Sequence, residues 1–117
     1  MNSFSKYAYG NVAANYAKAD VIAGSTDAVV VTGVAGEKIR VLACAFVCGA
    51  TATRATFNSK GSGAGTAISP EFQNAANGGA VLSHNPLGWF ETVAGESLTV
   101  DTSAGSQTGI LVVYVTY

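Results

Sequence analysis

Residues 34–48 read VAGEKIRVLACAFVC. The first four letters return at Val93–Glu96, where SLTV follows. In each copy the glycine can take the left-handed backbone conformation that side chains resist, and the glutamate then opens an apolar run. The repeat therefore reads as architecture, a turn into a strand used twice, and not as a shared catalytic motif. After the second copy the alternation is clean: Leu98 and Val100 fall on one face, Ser97, Thr99 and Asp101 on the other. After the first copy both faces are apolar. Strict alternation places Leu42, Cys44, Phe46 and Cys48 on one face and Ile39, Val41, Ala43, Ala45 and Val47 on the other.

Outward from these two points, strand signals recur at short intervals between Gly, Ser, Thr and Asn. They are ADVIA (19–23), AVVVT (28–32), ATRATFNS (52–59), TAIS (66–69), AVLS (80–83), LGWFETV (87–93) and ILVVYVTY (110–117). These runs are rich in Val and Thr and show no helical period, so the chain reads as all-β. Eight or nine short strands with glycine punctuation predict an antiparallel β-sandwich of jelly-roll type, one domain over residues 19–117, preceded by an N-terminal arm over 1–18. NVAANYAKA (11–19) has alanine enough for a turn or two of helix, and PEFQNAAN (70–77) for a short turn behind Pro70.

The 117 residues suffice for one core. Charged residues make up 11% against an ordinary share of about 25%, so part of the surface is expected to be covered by neighbours. ILVVYVTY points the same way, with Ile110, Val112 and Tyr114 on one face and Leu111, Val113, Val115 and Tyr117 on the other. In a two-layer sandwich one of those faces meets the core. The other must meet a loop, the arm or another subunit, which favours a homo-oligomer. The six basic residues are scattered, which argues against nucleic acid. No apolar run nears the roughly 18 residues of a membrane span, and the N-terminus lacks a hydrophobic signal core. The chain is expected to remain in the compartment where it is made.

Candidate chemistry is sparse. Cys44 and Cys48 lie about 13 Å apart along a strand at roughly 3.3 Å per residue, too far for a disulfide. They read as small buried thiols, and no cofactor or metal is expected. KGSGAGT (60–66) carries Lys60 before its glycines, the reverse of a phosphate loop, and reads as a hairpin loop. His84 beside Ser83 makes no triad, and Asp20, Asp27 and Asp101 read as turn residues. Trp89 and Phe90 alternate, so one belongs to the core, while the other could stack on a sugar. The arm is aromatic for a segment with little strand pattern. Phe4, Tyr7, Tyr9 and Tyr16, with Tyr117, are candidate interface residues that dock on their own subunit or on another.

GTAISPEFQNAANGGAVLSHNPLGWFETVAGESLTV, followed by GILVVYVTY, resembles small β-sandwich virion proteins of tailed bacteriophages, the capsid decoration or cement type. The resemblance covers the chain from about Val21 onward. It implies a non-enzymatic protein, made in the host cytoplasm and often trimeric, that binds the major capsid protein on the outside of the head shell. Related domains occur in phage fibres and tails, where the expected partner is a receptor or glycan.

Overall fold

The computed structural model describes residues 14–117. Its two VAGE segments form the same turn. Gly36 has φ +79° and Gly95 φ +86°. In each, the glutamate N–H donates to the valine carbonyl three residues earlier, Glu37 to Val34 and Glu96 to Val93, both at 3.0 Å. A positive φ at the third position with this closing bond is the type II pattern. The two turns also touch: the Gly95 N–H donates to the Glu37 carbonyl at 2.8 Å.

The described residues form ten strands: β1 (Asn15–Val21), β2 (Ala28–Val31), β3 (Ile39–Cys48), β4 (Thr53–Lys60), β5 (Thr66–Ala67), β6 (Phe72–Asn74), β7 (Gly79–Leu82), β8 (Phe90–Glu91), β9 (Ser97–Thr102) and β10 (Thr108–Thr116). All pairings are antiparallel. One sheet runs β1-β10-β3-β7, with β8 also on β3; the other runs β2-β9-β4-β5, with β6 also on β4. The pairing is nested. β1 takes β10, β2 takes β9, β3 takes β7 and β8, and β4 takes β5 and β6, so the chain is one long hairpin rolled into two layers. That is a jelly-roll β-sandwich, and the expected all-β fold class holds.

Strand bounds differ from the sequence reading at several points. β1 starts at Asn15, so residues 15–18, assigned above to the arm, are strand, and no helical turn forms over 15–19. Within 70–77, residues 72–74 are a strand and the turn comes after it, closed by the Gly78 N–H on the Ala75 carbonyl at 2.8 Å. The 87–93 run contributes only Phe90 and Glu91, because Asn85, Gly88 and Trp89 are drawn into a turn that hydrogen-bonds back to β3. Asp20 and Asp101 are the penultimate residues of β1 and β9, close to the turns they were expected to lie near.

The larger correction concerns β3. Its partners on β10 skip a residue: Ala43 faces Val113 while Val41 faces Tyr114, leaving Leu42 unopposed. An extra residue in one strand reverses the in-out parity beyond it. Ile39 and Val41 therefore join Cys44 and Phe46 in one core, and Leu42, at the bulge, is itself fully buried. The core is completed by Ala55, Phe57, Leu98, Val100, Ile110 and Val112, with Phe46, Phe57, Phe72 and Phe90 forming a chain of ring contacts. Phe46 is 4.8 Å from Phe72, and Phe57 is 5.1 Å from Phe90, between ring centroids. Each fully buried side chain of this kind contributes roughly 1.5–3 kcal/mol.

Cys44 and Cys48 are buried and unbridged, as their spacing requires. Desolvation pushes the Cys44 thiol up to about 11, and the Cys48 thiol donates to the Ala75 carbonyl. Thiol reagents are expected to label neither cysteine rapidly at neutral pH and both on denaturation; rapid native labelling of Cys44 contradicts this. Because an alanine at Gly95 must adopt a conformation costing about 1–2 kcal/mol, Gly95→Ala is expected to lower unfolding stability by that amount in urea titrations. Gly63→Ala, in open space without a positive φ, is expected to be near neutral. Equal midpoints for both variants would exclude the strained turn.

Candidate interaction surface

The two outer faces of the sandwich differ in kind. The outer face of the β2-β9-β4-β5 sheet is mainly polar and internally hydrogen-bonded, with exposed Val29 beside Thr99. Asp27, held at φ 51°, organises it. One carboxylate oxygen accepts from the Thr99 hydroxyl at 3.0 Å and the Asn58 amide at 3.2 Å, the other from the Gly65 N–H at 3.0 Å. The Gly65 bond foremost, with the two side-chain donors, overcomes partial burial and holds Asp27 below the usual carboxylate value. This ties the 60–65 loop to the sheet. The loop is the expected hairpin connection, and Lys60 closes it by donating to the Gly63 carbonyl. Buried Thr99 and Asn58 are thereby satisfied within the layer.

The outer face of the β1-β10-β3-β7 sheet is apolar. Its rows follow from the register. Tyr16, Val113 and Ala43 form one; Lys18, Leu111, Ala45 and Val81 the next; Asp20, Gly109, Val47 and Gly79 the third. Tyr16, Val47, Val81 and Leu111 are 74%, 56%, 77% and 46% exposed. Four large apolar side chains clustered on one sheet face are unlike the scattered exposure of ordinary surfaces. The two-faced apolar reading of β3 and β10 is thus realised in space. A hollow of about 410 Å3 opens between β1, β10 and β3, where Gly109 leaves no side chain.

Of the candidate interface residues, Tyr16 stands on this face. Tyr117 follows the last residue of β10, at the end of the sheet near Arg40 and Glu91. Its hydroxyl donates to the Glu91 carboxylate and accepts from Arg40, whose guanidinium sits 4.9 Å from the centre of its ring. Phe4, Tyr7 and Tyr9 lie outside the described residues. Val81 was not singled out in the sequence, because its place beside Ala45 depends on a pairing 36 residues away in the chain.

Beside that face lies the 83–91 loop. Phe90 enters the core and Trp89 stays 44% exposed, as their alternation required. The Trp89 indole N–H donates to the Ser83 carbonyl at 2.8 Å, which fixes the ring. Glu91 anchors the loop's end through Arg40, at 2.6 Å, and Lys38, at 3.7 Å. Burial pushes the Glu91 carboxyl up. Hydrogen bonds from Tyr117 and Arg40 and the charges of Arg40 and Lys38 outweigh that, so it titrates below the ordinary glutamate value. Among the described residues no group of three or more His, Cys, Asp or Glu side chains is placed to hold a metal.

No family model matches the chain, and no curated protein or solved structure is significantly similar to it.

Because the folded value of Glu91 is depressed, its contribution to stability is present above the unfolded glutamate value of about 4.3 and is lost as pH falls through the lower folded value. The melting temperature of Glu91→Gln should therefore fall below that of the wild type at neutral pH, and the gap should close below about pH 4. A gap unchanged between pH 7 and pH 3 contradicts the assignment.

Proposed function

We propose that this chain is a structural virion protein of a tailed phage, of the decoration or cement type. In this reading it self-associates and binds the major capsid protein on the outer shell. The observation that carries the proposal is the contrast between the sandwich's two outer faces: one held mainly by its own hydrogen bonds with a single exposed valine, Val29, among the residues named there, the other clustering Tyr16, Val47, Val81 and Leu111 in solvent. A surface of that kind gains free energy when a partner covers it, at roughly 25 cal/mol per Å2 of apolar area removed from water. A rigid jelly roll suits such a role, because little conformational entropy is lost on contact. The family assignment itself comes from the sequence resemblance, and no catalytic step is assigned to the chain.

A second reading, a fibre or tail domain that binds a receptor or glycan, is favoured by one observation. Trp89 presents a fixed, half-exposed ring beside Leu87, Arg40 and Glu91, around a hollow of about 190 Å3. Aromatic rings held in this way stack on sugar faces, with neighbouring charged groups available to hydroxyls.

Mass spectrometry of purified virions of the encoding phage separates the two. A decoration protein should appear in hundreds of copies per particle, a tail or fibre domain in a few. Absence from the particle contradicts both. A glycan array on wild type and Trp89→Ala tests the second reading directly, with signal lost in the variant as its expected outcome.

A further inference from the structure

We propose that the occupant of the apolar face is a second copy of this chain, paired about a two-fold axis that crosses the strands at the row Ala19, Ile110, Phe46, Ala80. This rests on the reading above that the chain assembles through this face, and it names the partner. The register carries the argument. A two-fold axis lying between the faces and perpendicular to the strands at that row lays the Lys18–Leu111–Ala45–Val81 row over the Asp20–Gly109–Val47–Gly79 row of the other copy. Within these two rows each position then meets its complement. Leu111 falls on Gly109, Val81 on Gly79 and Val47 on Ala45, so each large side chain opposes a small one. Lys18 falls on Asp20, so opposite charges meet at the β1 edge, twice by symmetry.

Such self-matching is what a two-fold contact demands, because one patch must complement itself. The hollow above Gly109 is where the Leu111 side chain of the second copy would enter. Gly79 cannot carry a larger side chain, since a Cβ there would lie 1.8 Å from the Phe46 carbonyl oxygen. The small residue under Val81 of the second copy is therefore fixed by the fold itself. Sheets packed face to face lie about 10 Å apart and rotate by about 30°, a distance these alternating large and small residues fill.

The face is modest in size. Four strands about 4.8 Å apart and seven residues of about 3.3 Å give on the order of 450 Å2 of sheet plane per copy. Two such faces together give about 900 Å2, the size of weak and transient contacts and not of stable interfaces, so the pair should form at high concentration and come apart on dilution. The resemblance favours three copies; this face favours two, because a patch that complements itself closes with a single partner.

Sedimentation equilibrium of the full chain, to about 1 mM, is expected to show reversible association to twice 11.8 kDa. Gly109→Val is the principal variant. Its Cβ meets only Asp20, at 3.7 Å, so the monomer should fold as before, with unchanged circular dichroism. Filling the hollow should raise the dissociation constant about tenfold or more. Leu111→Lys should do the same. Lys18→Glu should weaken pairing roughly fivefold to tenfold, and the added Asp20→Lys should restore it to near the wild-type value.

The proposal is overturned if the wild type stays monomeric, if it forms three copies, or if Gly109→Val and Leu111→Lys pair as tightly as wild type. Deletion of residues 2–13 abolishing association while Leu111→Lys leaves it intact also overturns it. Co-sedimentation with capsid shells lacking the protein is read separately. A paired wild type that ignores shells sinks the virion reading and leaves the two-fold contact standing.

Discussion

The pairing of β3 with β10, with its one unopposed residue at Leu42, is the constraint on which the rest of the sandwich depends. These are the two longest strands, they lie at the centre of their sheet, and both are apolar on both sides. A regular ladder would send Ile39 and Val41 outward while Cys44 and Phe46 pointed in. The bulge lets all four enter one core. Beyond the bulge the ladder is regular, so Ala43, Ala45 and Val47 point away from that core and stand beside Leu111, Val113 and Tyr16. A core that reaches both ends of β3 is thus the work of the bulge, while the apolar outer row follows from the regular ladder beyond it.

The opposite sheet shows what an outer face looks like when it needs no partner. Asp27, Thr99, Asn58 and the Gly65 N–H consume one another's hydrogen-bonding capacity, and the 60–65 loop is tied down as a result. The two VAGE turns fasten one end of the roll, touching through Gly95 and Glu37. Nearby, Glu91 gathers Arg40, Lys38 and Tyr117 and secures the end of β10 to the start of β3. Polar side chains therefore fix the periphery, while the β1-β10-β3-β7 face keeps its apolar side chains exposed. That asymmetry is the physical basis for reading the molecule as an assembly component.

Much of this was legible in the chain itself, for local reasons. Val-rich and Thr-rich runs ending in glycine identified the strands. The positive-φ glycines of VAGE identified the turns, since their geometry is fixed within four residues. The spacing of Cys44 and Cys48 excluded a bridge, and the adjacency of Trp89 and Phe90 divided them between surface and core. The clean alternation after the second VAGE gave the faces of β9 correctly.

What escaped the sequence required partners distant in the chain. Nothing in IRVLACAFVC marks where parity reverses, because both faces are apolar and only the β10 register reveals the extra residue. β5, β6 and β8 are two or three residues long and exist through the neighbours they join, not through their own pattern. The place of Val81 beside Ala45 and Leu111, the hollow at Gly109 and the contact between the two VAGE turns are likewise products of pairing. The sequence by itself determined that the chain is β, where it turns and that its central strands are apolar on both sides. Tertiary structure alone decided which of those apolar side chains face inward, because side-chain direction in a strand is settled by register, and register is a relation between strands.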